Sequence, residues 1–236
     1  MKGDLNLNQK ERYRHELKYE IGYENYLLLK KRLSCVMKPD AHTGTDGCYR
    51  IYSIYFDNME DKALREKING VSGREKFRIR YYNNDFSYIK LEKKRKDNHL
   101  CRKYAAALTE EECRNLLDGK TKWMSGQDSF LVRELYAKMQ YECLKPRIMV
   151  SYLREPYVYP AGNVRVTFDS DIRTSLYEPL SLGMGAYNIS AADTPQTMIL
   201  EVKYDEFLPD IIAILLQTDG ICRQAFSKYG ISRRFG

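Results

Sequence analysis

Apolar and polar residues alternate along this chain in short blocks, and the period of alternation switches repeatedly between two and three-to-four. Period-two runs predict strands over 12–21 (RYRHELKYEI), 49–57 (YRIYSIYFD), 74–82 (REKFRIRYY), 87–96 (SYIKLEKKRK) and 102–108 (RKYAAAL). Further strands are predicted over 146–159 (PRIMVSYLREPYVY), 163–174 (NVRVTFDSDIRT) and 197–206 (TMILEVKYDE). Helical spacing covers 23–37, 59–69 ending at Gly70, 129–143, and a closing stretch from Pro209 to Tyr229. Thr109 followed by Glu112 reads as a capping box that opens one more helix, stopping at Gly119. NND at 83–85 marks a hairpin, PAGN at 160–163 a turn, PDAHTGTDG a loop, and SLGMGAYNISAADTPQ a mobile loop.

Phase within the strands says more than the strands do, because successive side chains alternate between faces. Arg74, Lys76, Arg78 and Arg80 share one face against Phe77 and Ile79, and Tyr88, Lys90, Glu92 and Lys94 share one against Ile89 and Leu91. Arg14, Glu16 and Lys18 line up, as do Tyr152 and Arg154. Arg165, Thr167, Asp169, Asp171 and Arg173 align against Val164, Val166 and Phe168, and Glu201, Lys203 and Asp205 against Leu200, Val202 and Tyr204. An ordinary antiparallel sheet has one core face and one wet face. A wet face usually mixes in Ser, Thr and Gln, whereas these are mostly Arg, Lys and carboxylates over six strands. The helices need the apolar faces as partners, so the charged faces turn toward each other. The expectation is an α+β fold: a closed antiparallel β-barrel with a charged lumen and helices packed outside.

A barrel of about eight strands encloses room for one small ligand. Unpaired charges in a dry lumen are costly, so the lumen is wet and its basic walls call for a polyanion. Arg matches phosphate bidentately and Lys adds a point charge. Glu16, Glu92 and Glu201 are oxygen donors of the kind that hold Mg²⁺ or Mn²⁺, though Glu16 and Glu92 serve equally as ion-pair partners of neighbouring Arg and Lys. Asp169 and Asp171 either pair with lumen arginines or hold a cation. Asp57 reads as a cap for the turn that follows it, Trp123 and Met124 as packing, and Lys93 and Arg95 as solvated.

Composition narrows the setting. The 236 residues carry 39 Lys+Arg against 32 Asp+Glu, a formal charge of +7, which asks for an anionic partner without naming it. With 43% hydrophobic and 12% aromatic residues the chain is no disordered or low-complexity segment. Its best apolar run, Ile211 to Leu216, is far short of the roughly 20 residues of a membrane span. MKGDLNLNQKERYRHE lacks the apolar stretch of a secretory signal. Six cysteines (35, 48, 101, 113, 143, 222) form no CxxC pair, and histidines 15, 42 and 99 adjoin no cysteine group, so reduced thiols and no zinc site are expected. A soluble cytoplasmic protein follows as the expectation.

HELKYEI, SIYFD, FRIRYY, KLEKKRK, SYLREPYV, VRVTFD, ILEVKY and FSKYG follow one another in the order of the VTC domain, which this chain resembles from about Arg12 to Tyr229. That family is the polyphosphate polymerase domain of the vacuolar transporter chaperone, within the triphosphate tunnel metalloenzyme (CYTH-like) superfamily. The resemblance implies one tunnel domain over 12–230, between a flexible N-terminus (1–11) and a tail (231–236). It implies metal-dependent transfer of the γ-phosphate of ATP to phosphate or polyphosphate, with release of ADP. By motif, Lys18, Arg78, Arg80, Lys94, Arg154 and Arg165 would grip the triphosphate, with Lys103 and Tyr152 completing the cage. Glu201 would be the principal ligand of Mn²⁺ or Mg²⁺, and Ser227 and Lys228 would stand where a C-terminal helix frames one end of the tunnel.

Departures from the pattern keep other readings in play. The superfamily's ExExK signature appears as Arg14-His15-Glu16-Leu17-Lys18, and an Arg binds no metal, which disfavours triphosphatase-type hydrolysis. Two residues before Ser227, where the polymerase motif has a lysine, stands Ala225, with Arg223 the nearest substitute; Arg102 competes with Lys103. The alternatives are a tunnel-fold triphosphatase, an adenylate cyclase, or a non-catalytic polyphosphate or nucleotide sensor. A single-stranded nucleic-acid module is a further reading, from the Tyr interleaved in FRIRYYNNDFSYIK, but carboxylates on the same face would repel a phosphate backbone, so no nucleic-acid partner is expected. The partners expected are ATP and phosphate or polyphosphate, and the absence of a spanning segment in the sequence leaves room for a membrane partner.

Overall fold

The computed structural model describes residues 14–97, 100–175, 180–183, 189–190, 198–218 and 227–233. In chain order the elements are β1 His15–Ile21, α1 Tyr23–Ser34, β2 Lys38–Pro39, β3 Tyr49–Asp57, α2 Lys62–Ile68, β4 Arg74–Tyr82, β5 Asp85–Asp97 and β6 Leu100–Leu108. There follow α3 Glu110–Leu117, α4 Phe130–Tyr141, β7 Lys145–Tyr159, β8 Val164–Ser175, β9 Ile189–Ser190, β10 Met198–Tyr204, α5 Asp210–Leu215 and α6 Lys228–Ser232. The fold is α+β: one antiparallel sheet in the order β1-β10-β8-β7-β3-β4-β5-β6, with β2 added on β7 and β9 on β8.

Local chemistry explains the element ends. The β4–β5 hairpin turns on Asn83 (φ 48) and Asn84 (φ 56), the left-handed pair that a two-residue hairpin requires and Asn tolerates. The capping box is present, with Thr109 Oγ1 accepting from the Glu112 N–H at 3.1 Å and the Thr109 N–H donating to the Glu112 carboxylate at 2.8 Å. The helix expected over 59–69 starts only at Lys62, because Asn58 and Asp57 draw the 58–64 amides into a turn. Asp57 Oδ1 accepts from the Asn58 and Ala63 N–H groups, both at 2.9 Å, so it caps as expected. The loop expected at 39–47 begins with a short strand, β2, and α1 ends at Ser34 rather than Met37. The segment 1–13 and most of the loop at 181–196 lie outside the described residues.

Two apolar clusters cover the outer face of the sheet. Tyr52, Ile54, Phe56, Phe77, Ile79, Tyr81, Ile89 and Leu91 pack against Cys113 and Leu116 of α3 and Leu131, Val132 and Leu135 of α4, with Met124 buried among them and Trp123 at their edge. Val164, Val166, Phe168, Leu200 and Val202 pack against Leu29 and Leu33 of α1 and Ile212 of α5. Lys93 belongs to this outer face and is not solvated: it is 6% exposed, held by Glu75 at 2.8 Å and by Glu134 of α4. A covering helix supplies the carboxylate that period-two reasoning within β5 could not reveal.

The inner face departs from the expected uniform charge. Tyr49, Ile51, Ile148, Val150, Tyr152, Ile172 and Ile199 form a third apolar cluster there, joined by Tyr229 of α6. The central strands β3 and β7 are buried on both sides, as their near-continuous apolar sequences require. Apolar and charged side chains therefore share the inner face, rather than charge covering it throughout. Closure also differs from the expected barrel. Among the described residues no ladder joins β1 to β6. Instead the sheet curls until Lys94 of β5 meets Glu16 of β1 at 3.4 Å, so side chains rather than backbone bridge the two ends.

Candidate phosphate-binding cleft

Alternation along seven strands aims one set of side chains at a common cavity of about 210 Å³. β1 supplies Glu16 and Lys18; β4 supplies Lys76, Arg78 and Arg80; β5 supplies Glu92 and Lys94; β6 supplies Lys103. β7 contributes Tyr152 and Arg154, β10 Glu201 and Lys203, β3 Tyr55, and the C-terminal segment Ser227, Lys228 and Tyr229. Among the described residues nine basic side chains face three carboxylates there, an excess of six charges in a cavity large enough for a chain of a few phosphates. The molecule's net +7 is thus concentrated at one place.

The carboxylates divide into two walls. On the first, Lys18 Nζ lies 2.6 Å from Glu16 and 3.5 Å from Glu201, and Glu201 also meets Lys203 at 3.1 Å and Arg154 at 3.2 Å. Burial works against the charge of Glu201, but a hydrogen bond with Glu16 and the charges of Lys203, Lys18 and Arg154 hold its carboxyl well below the ordinary range. Burial likewise disfavours the Lys18 ammonium, yet Glu201 and Glu16 outweigh it and raise the pKa above normal. On the second wall, Glu92 pairs with Arg78 at 2.6 Å, with Lys103, and with Arg80 at 3.9 Å. Burial would lift its carboxyl; Arg78, Arg80 and Lys103 bring it down to about 2.

Arg154 and Lys228 meet at Asp169, which is fully buried behind the cleft and accepts two hydrogen bonds of 2.7 Å from the Arg154 guanidinium. Asp169 therefore takes the ion-pair role, and Asp171, on a bulge with φ 46, does the same with Arg50 and Arg173. The Tyr152 ring lies under Lys228 at 4.4 Å and under Arg154 at 5.4 Å, fixing both cations from below. Arg80 is held loosely, by Tyr152 Oη at 3.3 Å and Ser53 Oγ at 3.4 Å, so much of its fork remains for a ligand.

Of the residues singled out from sequence, Arg165 is the one the cleft does not gather. It lies farther along the inner face, donating to Tyr49 Oη and paired with Asp40, both at 2.9 Å. Ser227 lines the cleft and also caps α6, accepting from the Gly230 N–H at 3.3 Å. Lys103 is placed over Arg102 by register: it stands opposite Lys94, on the cleft side, while Arg102 stands opposite Arg95. Arg14, in the first signature position, turns to the rim and pairs with Asp205 at 2.9 Å. Ala225 and Arg223 lie outside the described residues.

Sequence reasoning passed over Lys76, Lys203, Tyr55 and Tyr229. The first two were legible, since both share a strand face with chosen residues. Tyr55 needed the phase of β3, which its apolar neighbours obscure. Burial pulls the Lys76 and Lys203 ammonium groups down to about 8. Burial would raise Tyr55, but Arg78 and Arg80 beside it bring the phenol down to about 8. As pH rises through 8 the two lysines therefore lose positive charge while Tyr55 gains a negative one. Affinity for inorganic triphosphate should fall about tenfold between pH 7 and 9 for each of these groups that must stay protonated in the complex. Calorimetric titration over that range tests this, and a flat or rising affinity would contradict it.

For a divalent cation, Glu16 and Glu201 are the fitting donors: both reach one point, occupied here by the Lys18 ammonium, and Mg²⁺ commonly takes one or two carboxylates plus substrate phosphates. Glu92 sits on the opposite wall, enclosed by its three cations, and fits an ion-pair role. Among the described residues no group of three or more His, Cys, Asp or Glu forms a self-sufficient metal centre. None of the described helices is long and apolar enough to cross a membrane.

Comparison with known proteins adds a family and a fold. The VTC domain family matches residues 13–235. HpAC1 from Hippeastrum, a candidate adenylyl cyclase with a dominant triphosphatase activity, superposes with a TM-score of 0.54 at 13% identity, covering 94% of this chain and 95% of that one. A candidate adenylate cyclase from Bacillus halodurans gives 0.49 at 14% identity, with 87% of each chain covered. PH1819 from Pyrococcus horikoshii gives 0.44 at 15%, covering 89% of this chain and 95% of that one. No match was found among the curated proteins. At such identities the Hippeastrum likeness speaks for the fold alone.

Proposed function

The chain belongs to the VTC domain family, and from that premise we propose that it is a metal-dependent polyphosphate polymerase, moving the γ-phosphate of ATP onto phosphate or polyphosphate and releasing ADP. The observation that carries this reading is the convergence of nine cations on one cleft whose three carboxylates are all ion-paired. Such a wall leaves none of its described carboxylates unpaired to repel a polyphosphate.

Phosphoryl transfer passes through a loose transition state, so positioning and electrostatics supply most of the catalysis. Arg80, with open hydrogen-bonding directions, and Arg78 behind it would hold the transferring phosphoryl group. Lys94, Lys103 and Lys228 would neutralise the flanking phosphates, and Tyr152 would keep Lys228 and Arg154 in place. The acceptor oxygen is already anionic at neutral pH, so it needs orientation more than deprotonation. Glu16 and Glu201 would hold Mg²⁺ or Mn²⁺, which would supply positive charge to offset the negative charge developing on the departing ADP.

The test is incubation with ATP and Mn²⁺ or Mg²⁺, with separate assays of the products. Polyphosphate appearing in step with ADP supports the proposal. Free phosphate alone would replace it with a triphosphatase, the activity of the Hippeastrum relative, and cyclic AMP with a cyclase. Tight binding of polyphosphate with no turnover would leave a sensor.

A further inference from the structure

Lys228 reaches the cleft from α6, a helix of five residues. So short a helix has no stability of its own and holds its place only through tertiary contacts. Some of those contacts run to the apolar cluster of β3, β7 and β8 and to Asp169, and others to the turn between β3 and α2. Tyr229, 2% exposed, packs its ring at a tilt against Tyr55 with centroids 5.2 Å apart and donates its hydroxyl to Asp57. One turn on, Arg233 donates through Nη2 to both carboxylate oxygens of Asp61, at 2.7 and 2.8 Å.

Asp61 has an unusual setting for this contact. It occupies the N-cap position of α2, where an Asp normally accepts from the first amides of the helix, yet it makes no side-chain cap. That work is done by Asp57, whose Oδ1 accepts from Ala63 N–H at 2.9 Å, and by Asn58, whose Oδ1 accepts from Lys62 N–H at 3.0 Å. Asp61 itself is in the left-handed region at φ 53, ψ 40, a conformation costly for a residue other than Gly, Asn or Asp. In this conformation its carboxylate leaves the α2 amides to Asp57 and Asn58 and meets Arg233.

We propose that Asp57 and Asp61 are positioning residues: together they form the receptor that seats the C-terminal helix and so delivers Lys228 to the phosphate-binding cleft. The role of the cleft rests on the function proposed above; the seating of the helix does not. Three variants separate the two: Asp61→Asn, which keeps the left-handed backbone and removes the charge; Arg233→Ala; and Arg233→Lys, which keeps the positive charge. Acylation of Lys228 by an amine reagent, read by mass spectrometry, reports seating whatever the cleft binds. We expect labelling to rise at least fivefold in Arg233→Ala and Asp61→Asn and to stay closer to wild type in Arg233→Lys.

Calorimetric titration with inorganic triphosphate reports the consequence. Affinity should fall about tenfold in Arg233→Ala, matching Lys228→Ala, and the double variant should be no weaker than Lys228→Ala alone. Unchanged labelling of Lys228 in Arg233→Ala and Asp61→Asn would overturn the proposal, as would additive losses in the double variant. A wild-type protein that ignores triphosphate would defeat the functional reading while labelling still decides the seating.

Discussion

Replacing Arg80 by alanine should lower ATP-dependent phosphoryl transfer by about 10²–10³-fold, the usual loss on removing one preorganised donor from a transition state, with little change in stability. The reason is how little the protein asks of this side chain. Its hydrogen bonds to Ser53 and Tyr152 are long, at 3.4 and 3.3 Å, and its approach to Glu92 is 3.9 Å. Neighbouring Arg78 is differently committed, with Glu92 at 2.6 Å and Tyr55 Oη at 3.5 Å. Arg78→Ala should lose a similar factor in rate and also cost about 1–3 kcal/mol of stability, because the buried Glu92 is left with weaker partners. Steady-state product assays beside urea unfolding of the two variants give the comparison. Two equally destabilised proteins would mean that Arg80 is structural, and an Arg80→Ala enzyme with near-normal turnover would remove it from the site.

That contrast marks where sequence reasoning stopped. Strand phase put Arg78, Arg80, Glu92, Lys94 and Glu201 on inward faces correctly, because a period of two is fixed by backbone geometry. It also listed Lys76 and Lys203 on those faces, though no motif drew attention to them. Phase cannot tell which cation pairs with which carboxylate, since that depends on register and curl. Arg154 is set against Asp169 by the β7–β8 register, and Glu201 against Lys18 by the β10–β1 register. Nor could phase reveal that α4 reaches down to Lys93, or that Arg165 is diverted to Asp40 and Tyr49. Neither charge segregation nor a resemblance to tunnel domains dictates closure by hydrogen bonds. Segregation requires only that charged faces confront one another, and a curled sheet bridged by Lys94 and Glu16 meets that requirement.

The pairing inside the cleft also changes what its carboxylates are for. Buried charges persist when paired, and removing one partner from such a set is far costlier than the pair is worth. On the proposed function, polyphosphate entering the cleft would compete with Glu16, Glu92 and Glu201 for the same cations. The carboxylates would then act as placeholders that keep Lys and Arg oriented and charged until phosphate oxygens arrive. On that view they moderate affinity, letting a long anion bind and still advance.

Glu201→Gln separates this moderating role from metal binding, because the two predict opposite effects in one protein. Without divalent metal the variant should bind inorganic triphosphate about three- to tenfold more tightly at pH 7, since one negative charge leaves a cavity only partly screened by solvent. The gain should shrink above pH 8: Lys203, already near 8 through burial, loses the carboxylate that supported its charge and titrates lower still. With Mg²⁺ or Mn²⁺ and ATP, turnover should instead fall by about 10²-fold or more, as Glu16 alone is left to hold the cation. Titration with and without metal, beside product assays, reads both arms. Normal metal-dependent turnover would discard Glu201 as a ligand, and weaker binding in the absence of metal would show that its ion pairs with Lys18, Lys203 and Arg154 build the cleft rather than restrain it.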